Sequence, residues 1–99
     1  MAEALILEFV GVGRADYDAV NAKLGIDTTR RDSAWPKGLQ SHAAGSTEDG
    51  AWIVIEVWES RTAQQRFMER LGQVLHEVGI AAPHRVVWVD LVANPYIAD

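Results

Sequence analysis

The sequence predicts an α+β fold with elements in the order βαββαβ, and three observations carry that expectation. Residues 4–10 and 51–58 are apolar runs of strand length that stop at turn or capping residues. Two other segments carry apolar residues at spacings of three and four. The chain has 99 residues, which leaves room for one hydrophobic core, and its 48% apolar and 23% charged content is that of an ordinary globular domain.

Residues 4–10 (ALILEFV), broken only by Glu8 and followed by Gly11 and Gly13, read as a central strand. From residue 14 to 24, Tyr17, Val20 and Leu24 fall on one helical face. Asp16 and Asp18 lie near the start, where the helix dipole favours negative charge, and Gly25 supplies the stop. Residues 26–38 have no period and include Trp35-Pro36, where proline biases its predecessor toward extended backbone, so a long loop is predicted. Residues 39–44 and 51–58 flank Gly45-Ser46-Thr47-Glu48-Asp49-Gly50, whose turn chemistry predicts a hairpin with a somewhat long loop. Ser60 then reads as an N-cap. Phe67, Leu71, Val74, Leu75 and Val78 mark one face of the longest helix, which Gly79 closes. After Pro83, the β-branched run 85–92 (RVVWVDLV) predicts the last strand, ahead of a tail over residues 93–99. This order is the ferredoxin-like one, in a single domain over residues 1–99 with both helices on one face of a four-stranded antiparallel sheet.

Several function classes are disfavoured by composition. Nine Lys plus Arg against fourteen Asp plus Glu leave a net charge of -5, and no basic cluster exceeds Arg30-Arg31, so nucleic acid is not an expected partner. The absence of cysteine removes disulfides, thiolate nucleophiles and iron–sulfur ligation. His42, His76 and His84 lack the spacing of a preformed ligand set, so no metal is expected. Gly11-Val12-Gly13 follows a strand, but Asp16 stands where a dinucleotide fingerprint needs its third glycine, and no cofactor is expected. No run approaches the roughly 18 apolar residues of a membrane span, and the N-terminus lacks the basic start of a signal peptide. A cytoplasmic protein without a membrane partner is the expectation.

Alternation along a strand sorts residues 51–58 into Ile53, Ile55 and Val57 against Trp52, Val54, Glu56 and Trp58, and residues 4–10 into Leu5, Leu7 and Phe9 against Ala4, Ile6 and Glu8. The purely hydrophobic set in each strand is expected to face the helices and the mixed set to lie on the open face. Two tryptophans on an open face need a cover, which a second copy supplies by packing sheet against sheet as a homodimer around an internal cavity. Pairing Ala44 with Trp52 then sets His42 opposite Val54 and Gln40 opposite Glu56. Glu8, Gln40, His42 and Glu56 would converge there among Trp52 and Trp58, with Trp35 of the long loop as a lid. Tyr17 reads as core from its helical spacing, Trp88 fits either face, and His76 and His84 have no role.

The Val57-Trp58-Glu59-Ser60 junction, followed by Phe67, within a chain of this length and order resembles the antibiotic biosynthesis monooxygenase-like group of dimeric α+β barrels. Residues 35–42 (WPKGLQSH) look most like small actinobacterial members of that superfamily. The resemblance implies the barrel dimer and a choice among cofactor-independent oxygenases, haem-degrading monooxygenases, isomerases and lyases, together with members without known activity. The haem-degrading branch uses an Asn on the first strand and a Trp and His on the second helix. Here Glu8 and Phe67 take the first two places, with only His76 near the third, so that branch is disfavoured. The resemblance then implies a planar aromatic or polyketide-like ligand, with cofactor-independent monooxygenation as the reaction. His42 would be the catalytic base, with Trp52, Trp58, Glu56, Glu8, Gln40 and Trp35 around the ligand. A non-catalytic ligand-binding dimer, and an isomerase or lyase using the same pocket, are the alternatives.

Overall fold

The computed structural model describes residues 2–97, so the last two positions of the tail lie outside the described residues. Its elements are β1 (Glu3–Phe9), α1 (Arg14–Leu24), β2 (Leu39–Ser46), β3 (Trp52–Trp58), α2 (Arg61–Val78) and β4 (Arg85–Asp90). All strand pairs are antiparallel, in the spatial order β2-β3-β1-β4. This is the predicted ferredoxin-like arrangement. No helix among the described residues is long and apolar enough to cross a membrane.

Local chemistry explains the helix boundaries. Gly13 caps α1, and its backbone N–H donates to the Asp16 carboxylate at 3.0 Å, placing negative charge in the first turn. Ser60 caps α2, its hydroxyl accepting from the Ala63 N–H at 3.1 Å. Both helices end at glycines in the left-handed conformation.

The faces of β1 are as the sequence predicts, with Leu5, Leu7 and Phe9 toward the helices, but those of β3 are reversed. In the β1–β3 register Leu5 lies opposite Glu56, Leu7 opposite Val54 and Phe9 opposite Trp52, and directly opposed residues share a face. Leu5, Leu7 and Phe9 therefore stand on the same side as Trp52, Val54, Glu56 and Trp58. Their cluster includes Ala63 of α2 and packs against Tyr17 and Phe67, which places it beneath the helices. The open face carries Ala4, Ile6 and Glu8 with Ile53, Ile55 and Val57. Indoles bury the largest area per side chain, and the helix layer provides that burial within one subunit: Trp58 is 0% and Trp52 7% exposed. Ranking the faces by aliphatic purity missed this.

A second difference lies in the hairpin. β2 continues through Gly45 to Ser46, and the turn shortens because the Thr47 hydroxyl accepts from the Ala51 N–H at 3.0 Å while the Thr47 N–H donates to the Ala51 carbonyl at 2.9 Å. The register becomes His42 opposite Glu56, Ala44 opposite Val54 and Ser46 opposite Trp52, two residues from the predicted pairing. A shift of two preserves which face each side chain occupies, so His42 stays on the side of Glu56.

A β-bulge between Leu39 and Ser41 leaves Gln40 without a cross-strand partner. Gly38, just ahead of it, holds φ +91°, and a Cβ there would lie 2.5 Å from the Ala63 Cβ. Gly38→Ala is expected to lower unfolding free energy in urea by about 2–4 kcal/mol, from the positive φ and the collision together. Gly72→Ala, inside α2 with open space around it, should raise it by about 0.5–1 kcal/mol. Equal effects of the two changes would refute this account of the β2–α2 approach.

Candidate functional site

Sheet and helices do not close completely over each other. An apolar cavity of about 80 Å³ lies between them, lined by residues of β1, α1, β2, β3, α2 and the long loop. The space expected between two subunits is thus found inside one. Of the predicted site residues, His42, Trp52, Glu56 and Trp35 line it. Trp58 lies behind the wall, fully buried, and reaches the site through Glu56. Glu8 points to the open face, opposite Ile53. Gln40 is not among the lining residues, because the bulge turns Leu39 to the cavity in its place; its Oε1 is buried without a hydrogen-bond partner.

Three polar side chains of the cavity, Tyr17, His42 and Glu56, form one hydrogen-bonded line with Trp58 behind them. Glu56, buried on the central strand β3, accepts from the Trp58 indole N–H through Oε1 at 3.1 Å, and its Oε2 lies 2.8 Å from Nδ1 of His42. With the Glu56 oxygen accepting, Nδ1 carries the hydrogen, and in that tautomer Nε2 is the acceptor. The Tyr17 hydroxyl lies 2.5 Å from that Nε2. A line of hydrogen bonds therefore runs from Tyr17 on α1 through His42 on β2 and Glu56 on β3 to Trp58. Burial, followed by the charge of Glu56 and then that of Asp18, holds the Tyr17 phenol above the ordinary tyrosine value. It is the neutral donor in this chain.

Aromatic rings enclose the imidazole. Trp35 lies 4.8 Å from it between ring centroids, and Tyr17 stacks at 5.9 Å. The Trp35 indole N–H donates to the Arg30 carbonyl at 2.8 Å, a bond within the long loop that orients the ring packed on His42. A wider groove of about 480 Å³, bordered by Arg14, Thr28, Thr29 and Ser46, shares Tyr17, His42 and Trp52 with the cavity. Trp88 faces the helix side opposite Leu5, with the Arg61 guanidinium 4.8 Å above its ring. Tyr17 is the site residue that helical spacing hides, since a position facing the core and one facing a cavity beside the core carry the same pattern. Its hydroxyl is the one signal that separates it from Val20 and Leu24.

Neither a family model nor a curated protein matches the sequence. Solved structures do. A protein from Chloroflexus aurantiacus J-10-fl, provisionally named an antibiotic biosynthesis monooxygenase, superposes with a TM-score of 0.68 at 17% identity, covering 99% of this chain and 100% of that one. Rv0793 from Mycobacterium tuberculosis superposes with a TM-score of 0.68 at 19% identity, over 96% of this chain and 99% of that one. A Deinococcus radiodurans protein with the same provisional name as the first reaches 0.55 at 10% identity, over 99% and 98%. These likenesses show a shared fold over essentially the whole length of each chain.

Two measurements probe the hydrogen-bonded line. Glu56→Ala leaves the Trp58 N–H and the His42 Nδ1–H without their acceptor, and urea unfolding should show a loss of about 2–6 kcal/mol, at about 1–3 kcal/mol per orphaned buried donor. A loss too small to measure would mean that the carboxylate does not organise the site. Because the folded-state value of Tyr17 is raised, its contribution is complete below the unfolded-state value of about pH 10 and falls away as pH rises through the folded-state value. Tyr17→Phe should therefore lose less stability than the parent between neutral and strongly alkaline pH. Parallel alkaline curves would contradict the assignment of a buried neutral phenol.

Proposed function

We propose that this chain is a member of the antibiotic biosynthesis monooxygenase-like superfamily: a homodimeric small-molecule enzyme that oxidises a planar phenolic compound with O2 and no cofactor. One observation carries the chemistry. The His42 imidazole is fixed at Nδ1 by the buried Glu56 carboxylate inside an otherwise apolar cavity. An acceptor nitrogen so placed takes a phenolic proton, and the carboxylate stabilises the imidazolium that results. The names of the Chloroflexus and Deinococcus structures support the same reading.

The cavity is well below the roughly 300–1,000 Å³ of pockets for drug-sized ligands. At about half the roughly 150 Å³ that holds a benzene, it takes the hydroxyl-bearing edge of one substrate ring, with the remainder of a larger polyketide-like compound lying in the adjoining groove. Proton removal leaves an electron-rich phenolate that reacts with O2 at a ring carbon bearing hydrogen. One oxygen atom enters the ring as a carbonyl and the other leaves as water, so a phenol plus O2 gives a quinone plus water. The protein contributes orientation, the proton acceptor and a site from which bulk water is excluded.

The dimer rests on a different surface. The open sheet face presents Ile6, Ile53, Ile55, Val57, Val87 and Val89, with Ile55 48% and Val89 39% exposed. An aliphatic surface of this kind is covered when a second copy packs sheet against sheet. The tryptophans take no part in that contact.

Binding is tested by native mass spectrometry with phenols, anthrones and haem, and turnover by oxygen uptake on any binder. Turnover of a phenol or anthrone should fall by about a hundredfold or more in His42→Ala; unchanged turnover would overturn the reading. Sedimentation at micromolar concentration should show a dimer that Ile55→Glu converts to a folded monomer. A monomeric parent chain would remove the second copy from the proposal.

A further inference from the structure

Both ring nitrogens of His42 are occupied within the chain, Nδ1 by Glu56 at 2.8 Å and Nε2 by the Tyr17 hydroxyl at 2.5 Å. A ligand proton reaches Nε2 only through the tyrosine oxygen or by displacing it. Tyr17 lines both the cavity and the groove, and its oxygen retains acceptor capacity while its own hydrogen is given to His42. Resting on the function proposed above, we infer that Tyr17 is the catalytic residue that touches the ligand hydroxyl, and that His42 receives the proton through it.

The step balances without a tyrosinate. The ligand O–H proton passes to the Tyr17 oxygen while the Tyr17 proton passes to Nε2 of His42. The O–H bond of the ligand breaks, an N–H bond forms on the imidazole, and the tyrosine is a neutral phenol before and after. The products are a ligand phenolate and an imidazolium paired with the Glu56 carboxylate. A tyrosine that resists ionisation suits this role, because concerted transfer never leaves it charged. The arrangement also selects its substrate: the ligand must carry an acidic hydroxyl on the ring that enters the cavity, since a ligand without one has no proton to offer the tyrosine oxygen.

The probe is 4-nitrophenol, a single-ring phenol whose visible absorbance distinguishes its neutral and ionised forms. Each protein is titrated with it below the pH at which the free probe ionises, with circular dichroism and thermal unfolding as controls for folding. The parent chain should bind the probe largely as phenolate. Tyr17→Phe should still bind within a few-fold of the parent affinity but hold the probe neutral, and His42→Gln should do the same. Ionised probe in Tyr17→Phe but neutral probe in His42→Gln would overturn the role of Tyr17 and leave His42 as the direct base. Ionised probe in both variants would overturn the base assigned under the proposed function as well. Failure of the folded parent chain to bind millimolar 4-nitrophenol would also overturn the inference, because the cavity would then not admit a ring with an acidic hydroxyl. A further readout separates transfer from mere support: for any substrate turned over, Tyr17→Phe should lower kcat by at least tenfold with little change in KM, whereas a purely structural tyrosine would raise KM and leave kcat nearly unchanged.

Discussion

A carboxylate placed beneath a helix layer has to find donors there, because removing an unpaired charge from water costs more than a small domain's whole stability. Glu56 meets that requirement with one donor for each oxygen, the Trp58 indole and the His42 imidazole. The consequences spread outward. Satisfying the carboxylate fixes the tautomer of His42, the tautomer leaves Nε2 as an acceptor, and the acceptor holds the hydroxyl of Tyr17. Strands β3 and β2 and helix α1 are thereby tied together at one polar line through an apolar interior, which specifies their relative placement more narrowly than apolar packing alone.

The fold was legible because each element carried its own local signal: helical spacing in α1 and α2, Ser60 and Gly79 at the ends of α2, and strong strand formers in β1, β3 and β4. The site was only half legible. Alternation correctly grouped Trp52, Val54, Glu56 and Trp58, and a register error of two residues did no harm to His42 because faces repeat with that period. Deciding which group faced the helices was beyond alternation. Both sides of β3 are apolar, and the pairing with β1, a long-range fact, settles the matter by setting Leu5 opposite Glu56. Glu8 was lost from the site for that reason and Gln40 for another, since a bulge has no signature that alternation can detect. Tyr17 was read as core, which it also is, and its place at the cavity was missed because core-facing and cavity-facing helix positions share a period.

Enclosing the cavity in a single chain separates two properties that a shared chamber would have joined. The aliphatic sheet face and the aromatic cavity lie on opposite sides of one layer of backbone. A substitution at Ile55 and one at Tyr17 act on surfaces with no common side chain, so their effects on stability should combine nearly additively. The roof of the cavity is the long loop, held to the body of the fold by the Glu59 N–H that donates to the Gly38 carbonyl at 2.8 Å and by the Trp35 ring packed on His42.

The bulge at Gln40 has a consequence for how such a chain can change over time. Leu39 and His42 are three residues apart, a spacing that would send them to opposite faces of a regular strand, yet both line the cavity because the odd residue between them is absorbed. The edge position of β2 lets that surplus residue sit without breaking a ladder on its far side. Upstream of it the loop has fixed points of its own, Trp35 against the imidazole and Gly38 against Ala63, so the room for insertions and deletions lies in the exposed stretch ahead of Trp35, where the histidine keeps its address whatever the length.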